Sequence, residues 1–297
     1  MGIVNVTPDS FSDGGAFLSA EAAICHARRL AQEGADILDV GGESTRPGAE
    51  PVPADEELRR VLPVLEGIAA DWLAGDSRAQ PAQPIVSIDT SKASVARAAI
   101  AAGASIVNDV SALRADPAMV EVVVDSGVEC CLMHMLGEPR TMQREPHYKD
   151  VVDDVKAFLE ERLSFAVGSG VREERIMLDP GIGFGKTLEH NLELLGRLEE
   201  LTTLGRPLVV GTSRKGFLGR IIADADADAD ADAAGEAEPV GTARRLPGTI
   251  ATNVLALERG ASVFRVHDVA PVRDALAVAA ATLDTRWTAR GTTTQTS

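Results

Sequence analysis

Short apolar runs alternate with longer segments of helical periodicity along the chain. Apolar runs of this length predict strands, and apolar residues spaced three and four apart predict helices. The predicted strands are Ile3–Val6, Asp36–Val40, Ile85–Ile88, Ser105–Val107, Glu129–His134, Arg175–Leu178, Leu208–Gly211 and Ser262–Val266. Such alternation is typical of a parallel sheet covered by helices. Eight strand–helix units predict one α/β domain, a (β/α)8 TIM barrel with its active site at the C-terminal ends of the strands; a doubly wound open sheet is the alternative.

Polar side chains follow the end of each predicted strand. They include Asn5, Arg46, Asp89, Asn108, His134, Asp179, Lys215, Arg265 and His267. In a barrel these ends converge on one face, so we expect the side chains to form a ring there. Four more polar residues lie after the strand ends, and a role as helix cap or turn former would explain each of them equally well: Thr90, Ser91, Asp109 and Asp268.

Four members of the ring, Arg46, Lys215, Arg265 and His267, are not residues that cap a helix N-terminus. Their positive charges and N–H groups at one mouth of an acidic protein predict an anionic ligand, such as a phosphate.

Two segments are predicted to lie outside the barrel, which we assign to residues 1–284. Alternating Asp and Ala around residues 223–239 predict an acidic, disordered loop insert after strand seven. Residues 285–297 are predicted to be a disordered tail.

The charge balance narrows the possible partners. Asp and Glu outnumber Lys and Arg by 45 to 29, for a net charge of −16. This charge argues against nucleic acid or an anionic membrane as a partner. With Lys scarce as well, the composition resembles that of proteins from salt-loving organisms, such as a halophilic archaeon. No apolar run approaches the roughly 18 residues that cross a bilayer, and no signal peptide precedes strand one, so we expect a cytoplasmic protein.

Two further motifs argue against other kinds of site. Residues 181–187 end like the phosphate-binding pattern GxxxxGK[ST], but the first Gly of that pattern falls on Pro180. The histidines form no tight metal-binding motif, which argues against a zinc hydrolase. Cys25, Cys130 and Cys131 lack CxxC spacing and are interpreted as small buried residues.

The chain resembles the dihydropteroate synthase family of the folate pathway, the targets of sulfonamides. The resemblance covers nearly the whole chain and rests on MGIVNVTPDSFSDGG, DVGGESTRPGAE, SIDTSK, NDVSAL, LMHMLGEPRTMQ, LDPGIGFGKT, GTSRKGFLG and RVHDV. It implies a (β/α)8 barrel and a transferase that joins 6-hydroxymethyl-7,8-dihydropterin diphosphate to 4-aminobenzoate. The products would be 7,8-dihydropteroate and diphosphate.

The resemblance also implies roles for particular residues. Pterin binding falls to Asp89, Asn108, Asp179 and Lys215, with Met133 and Phe184 as apolar walls. Diphosphate binding falls to Asn5, Thr45, Arg46, Arg265 and His267. Asn5 would also be a ligand of Mg²⁺, the implied cofactor, because magnesium needs few protein ligands beside phosphate oxygens and water. The ring is therefore expected to divide into a pterin half and a diphosphate half.

The second substrate would meet Thr45, Arg46, Pro47, Phe184 and Gly216. Arg265, His267, Lys215 and Asp13 are the catalytic residues that the resemblance implies, and the loops of Asp13 and Arg46 would close over the site. Many family members carry Ser where this chain has Gly216, so a hydroxyl that would orient the aminobenzoate carboxylate is missing.

Two alternatives remain at this point. A pterin-dependent methyltransferase would read the pterin with similar residues but has no diphosphate to hold, so Thr45-Arg46-Pro47 and Arg265-Val266-His267 argue against it. The other alternative is a non-catalytic pterin-binding barrel, which no loss among the matched residues favours. The resemblance further implies a homodimer that takes small-molecule substrates.

Overall fold

The structure, a computed structural model, describes residues 1–7, 16–46, 48–74, 83–229 and 240–284. Its strands are β1 (Gly2–Asn5), β2 (Ile37–Gly41), β3 (Ile85–Asp89), β4 (Ile106–Asp109), β5 (Glu129–Met133), β6 (Ile176–Asp179), β7 (Val209–Val210) and β8 (Val263–Phe264). Its α-helices are α1 (Ala16–Gln32), α2 (Ala54–Ala74), α3 (Ala93–Ala101), α4 (Met119–Ser126), α5 (Val151–Gly168), α6 (Leu188–Gly196), α7 (Gly216–Ala229), α8 (Leu246–Glu258) and α9 (Val269–Asp284).

The strands close into a barrel. Strands β1 to β6 pair in parallel in chain order, and β7 pairs in parallel with β8. The two groups meet on both sides, because the N–H of Leu178 donates to Pro207 O at 3.0 Å and the N–H of Ile3 donates to Val266 O at 3.0 Å. Parallel bridges Leu178–Leu208 and Gly2–Val266 accompany these bonds. The predicted (β/α)8 barrel is confirmed, and the open sheet is excluded.

Alternation along the strands separates the barrel interior from the layer under the helices. Ile106, Cys131, Met177 and Val209 pack together in a small cluster inside the barrel. Their neighbours Val107, Cys130, Leu132, Ile176, Leu178 and Val210 belong instead to the large core shared with the helices. Because successive side chains point to opposite faces, residues two positions after the interior cluster also point inward, at the mouth.

The acidic segment after β7 begins differently from the sequence prediction. Helix α7 continues to Ala229, so residues 223–229 are helical rather than part of a loop insert. Ala has the highest helix propensity, and Ala223 is buried at 4% exposure, which anchors this end of the segment. Residues 230–239 and the tail 285–297 lie outside the described residues.

Two other sequence predictions bear on this part of the chain. Cys130 and Cys131 are buried as predicted, but Cys25 is exposed on α1, so the interpretation of all three as buried residues was wrong for Cys25. Its side chain falls on the solvent side of the helix. None of the helices in the described ranges is long and apolar enough to cross a membrane.

Candidate active site

The register of the sheet brings the predicted polar residues into one row. Asn5 pairs with Gly41, Gly41 with Asp89, and Asp89 with Asn108, in three successive strand pairs. Further round the barrel, Met133 pairs with Asp179. A row of this kind points inward at the C-terminal ends of the strands, where barrel enzymes place their sites.

Arg265 lies at the centre of this row and is held by two buried carboxylates. Its Nε donates to Asp39 Oδ2 at 2.6 Å, and its Nη2 donates to Asp89 Oδ2 at 2.7 Å. Asp39 is fully buried and Asp89 is 6% exposed. The Arg265 side chain is 21% exposed, and its charge supplies the partner that the two buried carboxylates require.

Asp39 is a site residue that the sequence analysis missed. It also accepts hydrogen bonds from Ser87 Oγ at 2.6 Å and from Asn108 Nδ2 at 3.1 Å, so it links Arg265 to Asn108. The signal for it was present in the sequence: a lone carboxylate in the otherwise apolar strand ILDVG, two residues after Ile37 on the inward face.

The charges of the cluster shift one another's protonation. Burial raises the pKa of Asp89 to about 7, with the charge of Asp39 adding to the effect and that of Arg265 opposing it. Burial lowers the pKa of Arg265, but Asp39 and Asp89 outweigh it and raise that pKa above its usual range. Arg265 therefore stays charged, whereas Asp89 changes charge near neutral pH.

Asp179 and Lys215 form a second charged group across the barrel mouth. Burial raises the pKa of the Asp179 carboxyl, whose Oδ1 accepts the N–H of Gly181 at 2.7 Å. Lys215 Nζ donates to the carbonyl of Ile182 and lies 4.7 Å from the centre of the Phe184 ring. Burial lowers the pKa of Lys215 to about 8. The aromatic face stabilises its charged form.

His267 is fixed by Ser213. The backbone N–H of His267 donates to Ser213 Oγ at 3.1 Å, and the same Oγ lies 3.0 Å from His267 Nδ1. These two contacts with Ser213 Oγ fix the orientation of the imidazole ring. Burial lowers the pKa of His267 to about 4, so the ring is a neutral hydrogen-bond donor at neutral pH.

Arg214 braces the loops that carry Lys215 and His267. Its guanidinium donates two bonds to Asp268, at 2.9 and 2.6 Å, and its own N–H donates to Thr249 Oγ1. Its φ of 57° is unusual for a residue other than Gly. Asp268 therefore has a structural partner, an ion pair rather than the helix cap or turn named as the alternative.

Two more of the four ambiguous residues also have structural partners. Asp109 accepts the backbone N–H groups of Ser111 and Leu113, both at 2.8 Å, and Thr90 Oγ1 accepts the N–H of Lys92 at 3.2 Å. These bonds stabilise the turns after β4 and β3. Neither side chain needs a ligand to explain it.

The loop between β6 and α6 is built around Lys186, the lysine of the incomplete phosphate-binding pattern. Its Nζ is bonded to Gly181 O at 2.9 Å, Phe184 O at 3.1 Å and His134 Nδ1 at 2.8 Å. Lys186 is 3% exposed, and burial lowers its pKa well below the usual value. Burial, followed by the charge of Lys186, lowers the pKa of His134 to about 2. This lysine holds its own loop and is not available for a nucleotide phosphate.

Apolar residues form one wall of the mouth. Met133, Met135 and Met142 pack together, with Phe184 and Val110 against them. Both apolar residues named for the pterin, Met133 and Phe184, are thus in one cluster beside Lys215 and Asp179.

Other predicted residues lie on the loops around the mouth. Thr45 is half-buried and Arg46 is exposed in the loop after β2, and Gly216 is exposed at the start of α7. Asp13 and Pro47 lie outside the described residues.

Arg265, which was assigned to the diphosphate half, is in direct contact with the pterin half. It contacts Asp89, which was assigned to the pterin, so it lies between the pterin residues and His267. As for a metal, no cluster of three or more His, Cys, Asp or Glu side chains that would bind one is found among the described residues.

The geometry agrees with comparisons to known proteins. The family model described as "Pterin binding enzyme" matches residues 1–267. The dihydropteroate synthase of Escherichia coli K12 is 43% identical over 286 residues, which are 96% of this chain and 92% of that protein. The chain belongs to the dihydropteroate synthase family of pterin binding enzymes.

Solved structures of this synthase family match the fold as well. The Xanthomonas albilineans dihydropteroate synthase with 4-aminobenzoic acid superposes with a TM-score of 0.80 at 45% identity, covering 95% of this chain and 92% of that chain. The Yersinia pestis enzyme in a sulfonamide drug complex gives a TM-score of 0.82 at 40% identity, covering 96% and 94%. The similarity extends over the whole barrel, so the fold and the family agree.

Proposed function

We propose that this chain condenses 6-hydroxymethyl-7,8-dihydropterin diphosphate with 4-aminobenzoate to give 7,8-dihydropteroate and diphosphate, a transferase step of folate biosynthesis. The observation that carries the proposal is the buried Asp39–Arg265–Asp89 cluster at the barrel mouth, in a chain of this family. Acidic groups beside a fixed guanidinium suit a ligand with a hydrogen-bonding heterocycle at one end and an anion at the other.

The pterin end is read by hydrogen bonds in a dry pocket. Asp89, Asn108 and Asp179 are each at most 6% exposed and offer carboxylate and amide groups to the donors and acceptors of the pterin edge. Lys215 binds near the pterin carbonyl, and Met133 and Phe184 cover the ring faces. Burial strengthens these bonds, because no water competes for the same groups.

The diphosphate end leaves with the electron pair of the carbon–oxygen bond. Arg265 stays charged and stabilises the negative charge that develops on the leaving oxygen. His267 is neutral and donates its ring N–H, and Thr45 and Arg46 reach the diphosphate from the loop after β2. Two fixed donors and one loop cation favour the charged leaving group over the intact ester.

The aminobenzoate nitrogen attacks the carbon that the diphosphate leaves. Its aniline nitrogen is neutral, so the step needs no strong general base, and the proton is lost after the new bond forms. Thr45, Arg46, Pro47, Phe184 and Gly216 surround this substrate. The loops of Asp13 and Arg46 exclude water, which would otherwise attack the same carbon.

Asn5 suits the role of a magnesium ligand. It sits at the end of β1, half-buried beside Gly41 and Asp89 in the row at the mouth. A single amide oxygen is compatible with Mg²⁺, which keeps waters and binds phosphate oxygens. When bound, Mg²⁺ would neutralise part of the diphosphate charge.

The assay that tests the function is release of diphosphate from the pterin diphosphate, with and without 4-aminobenzoate, at high KCl and with Mg²⁺ or EDTA. We expect release that depends on both Mg²⁺ and aminobenzoate, together with formation of dihydropteroate. A folded protein that releases diphosphate under none of these conditions would refute the proposal. Inhibition by a sulfonamide that competes with aminobenzoate is expected as well.

We also propose that the protein is a cytoplasmic homodimer adapted to a salt-rich cell interior, as in a halophilic archaeon. The homodimer is supported by apolar side chains exposed on the contacting helices α8 and α9, where Leu255 is 43%, Val278 69% and Leu283 53% exposed. Apolar surface of this kind is often covered by a second subunit. Sedimentation velocity at 2 M KCl tests it, and a species of 31.1 kDa at all concentrations would count against the dimer.

A further inference from the structure

Lys92, on the turn between β3 and α3, holds the base of the loop after β2 through an ion pair with Glu43. Its Nζ lies 2.5 Å from Glu43 Oε2 and 2.6 Å from Glu57 Oε2. Glu57 is on α2 and fully buried, whereas Lys92 and Glu43 are 23% and 19% exposed. Lys92 is thus fixed to α2 by the carboxylate of Glu57, and it contacts the loop through the carboxylate of Glu43.

Glu43 also ties the two ends of this loop to each other. Its second oxygen, Oε1, accepts the backbone N–H of Val52 at 2.8 Å, nine residues further along. At the start of the loop, Arg60 on α2 donates to Gly42 O at 2.8 Å. A Cβ placed on Gly42 would lie only 2.9 Å from Val61 and 3.1 Å from Glu57, so the backbone there is pressed against α2.

The loop between these two ends carries Thr45 and the exposed Arg46. In the proposed function, both residues contact the diphosphate and the aminobenzoate. Lys92 in turn follows Asp89 by three residues, at the end of β3. The ion pair therefore connects the strand end that reads the pterin with the loop that meets the aminobenzoate.

We propose that Glu43 and Lys92 form a latch that positions the loop after β2 over the aminobenzoate, so that both are positioning residues of the reaction. This inference rests on the proposed function. Neither side chain need touch a substrate, because the latch acts by fixing where the Thr45–Arg46 segment begins and ends.

Glu43→Gln is the variant that tests the latch most directly. The amide still accepts the Val52 N–H and leaves the Lys92–Glu57 pair intact, so the protein keeps its fold, but the charged contact to Lys92 is lost. We expect the KM for aminobenzoate to rise by about fivefold to tenfold. Binding of the pterin alcohol, which lacks the diphosphate, should stay unchanged in calorimetry because Asp89, Asn108 and Asp179 are not altered.

The matched control is Glu50→Gln on the same loop. Glu50 is exposed and lies 3.5 Å from Arg140, a surface pair of small energy, so its loss should leave the KM for aminobenzoate within about twofold. Lys92→Met would leave Glu57 without its cation, and it is therefore made together with Glu57→Gln. Adding Glu43→Gln to that pair should raise the KM no further, since one contact is being removed twice.

Arg46→Ala tests separately whether the loop after β2 contacts the substrates at all. It therefore distinguishes an error in the latch proposal from an error in the role given to the loop. A large loss of activity in Arg46→Ala, with Glu43→Gln indistinguishable from Glu50→Gln, would overturn the latch and leave the proposed function intact. Wild-type kinetics in Arg46→Ala would overturn the role of the loop and the latch with it. A raised KM in Glu43→Gln that is not additive with Lys92→Met/Glu57→Gln supports the proposal.

Discussion

Arg265 and its two carboxylates show how single residues depend on one another in this site. Asp39 has no solvent exposure and accepts three hydrogen bonds, from Arg265, Ser87 and Asn108. Removing any one partner leaves a buried polar group without its bond, which costs more than the bond itself contributes. Substitutions here are therefore expected to affect both catalysis and folding.

Arg265→Ala is expected to lower kcat/KM by about 30- to 1000-fold, or about 2 to 4 kcal/mol of transition-state stabilisation, because a preorganised cation is lost beside the leaving diphosphate. Steady-state kinetics measure the effect. Arg273→Ala, which removes an exposed guanidinium paired with the neighbouring Asp274, is the control. A loss of less than tenfold in Arg265→Ala would contradict the assignment.

The pH dependence of kcat/KM for the pterin diphosphate should follow Asp89 and Lys215. The pKa of Asp89 is raised to about 7, so below pH 7 its carboxyl is protonated and is a poorer hydrogen-bond acceptor. The pKa of Lys215 is lowered to about 8, so above pH 8 its amine loses its charge. The rate should therefore peak between about pH 7 and pH 8. Asp89→Asn should abolish the acid limb, and an unchanged acid limb in that variant would assign it to another group.

Gly216→Ser tests the missing hydroxyl at the start of α7. A Cβ at Gly216 would have no atom within 4 Å, so the serine fits without strain. We expect the KM for aminobenzoate to fall by about threefold to tenfold, the effect of one added hydrogen bond to a carboxylate. Gly241→Ser, equally free of contacts, is the control, and equal KM values in both variants would show that position 216 does not meet the substrate.

The loop from β6 to α6 is held together by hydrogen bonds to a buried lysine. Lys186 bonds to two carbonyls of this loop and to His134 at the end of β5. Tyr148 adds a bond from its OH to Gly185 O at 2.7 Å. The loop that carries Phe184 is thus shaped by a buried amine as well as by the apolar contacts of Ile182 and Phe184.

Lys186→Met is expected to lower the free energy of unfolding by about 3 kcal/mol, because three acceptors, two of them buried, lose their donor. Urea denaturation measures it. The substitution should also raise the Kd for the pterin alcohol, since Phe184 loses its support. Exposed Lys149 gives the control, Lys149→Met; a Lys186 variant as stable as this control would show that the loop holds its shape without the amine.

For the whole molecule, the net charge of −16 is the property with the clearest consequence. Like charges repel across the surface, and salt shortens the range of that repulsion from about 10 Å at 0.1 M to about 3 Å at 1 M. We expect the urea midpoint to rise between 0.1 M and 2 M KCl. Sucrose at matched osmolality should reproduce little of the rise, and equal midpoints at the two KCl concentrations would refute the salt adaptation.

The fold was largely predictable because periodicity is a local property of the sequence. The predicted strand ends agree with the structure within two residues, and Asp89, Asn108 and Asp179 point into the mouth as expected. His134 does not: it packs against Phe158 of α5 and contacts Lys186. The helical start of the acidic segment was not predicted, since burial of Ala223 depends on what α7 packs against. Asp39 was missed because a carboxylate within a strand is informative only once its inward orientation is known.

The sequence by itself determined the alternation of strand and helix, the inward positions along each strand and the motifs that indicate the family. Only the tertiary structure decided which charged groups meet: Arg265 and Asp39 are 226 residues apart, and Lys92 lies 49 residues after Glu43. Side-chain periodicity acts between neighbours in the chain, whereas these pairs form only when the barrel closes and the register of its strands places them side by side.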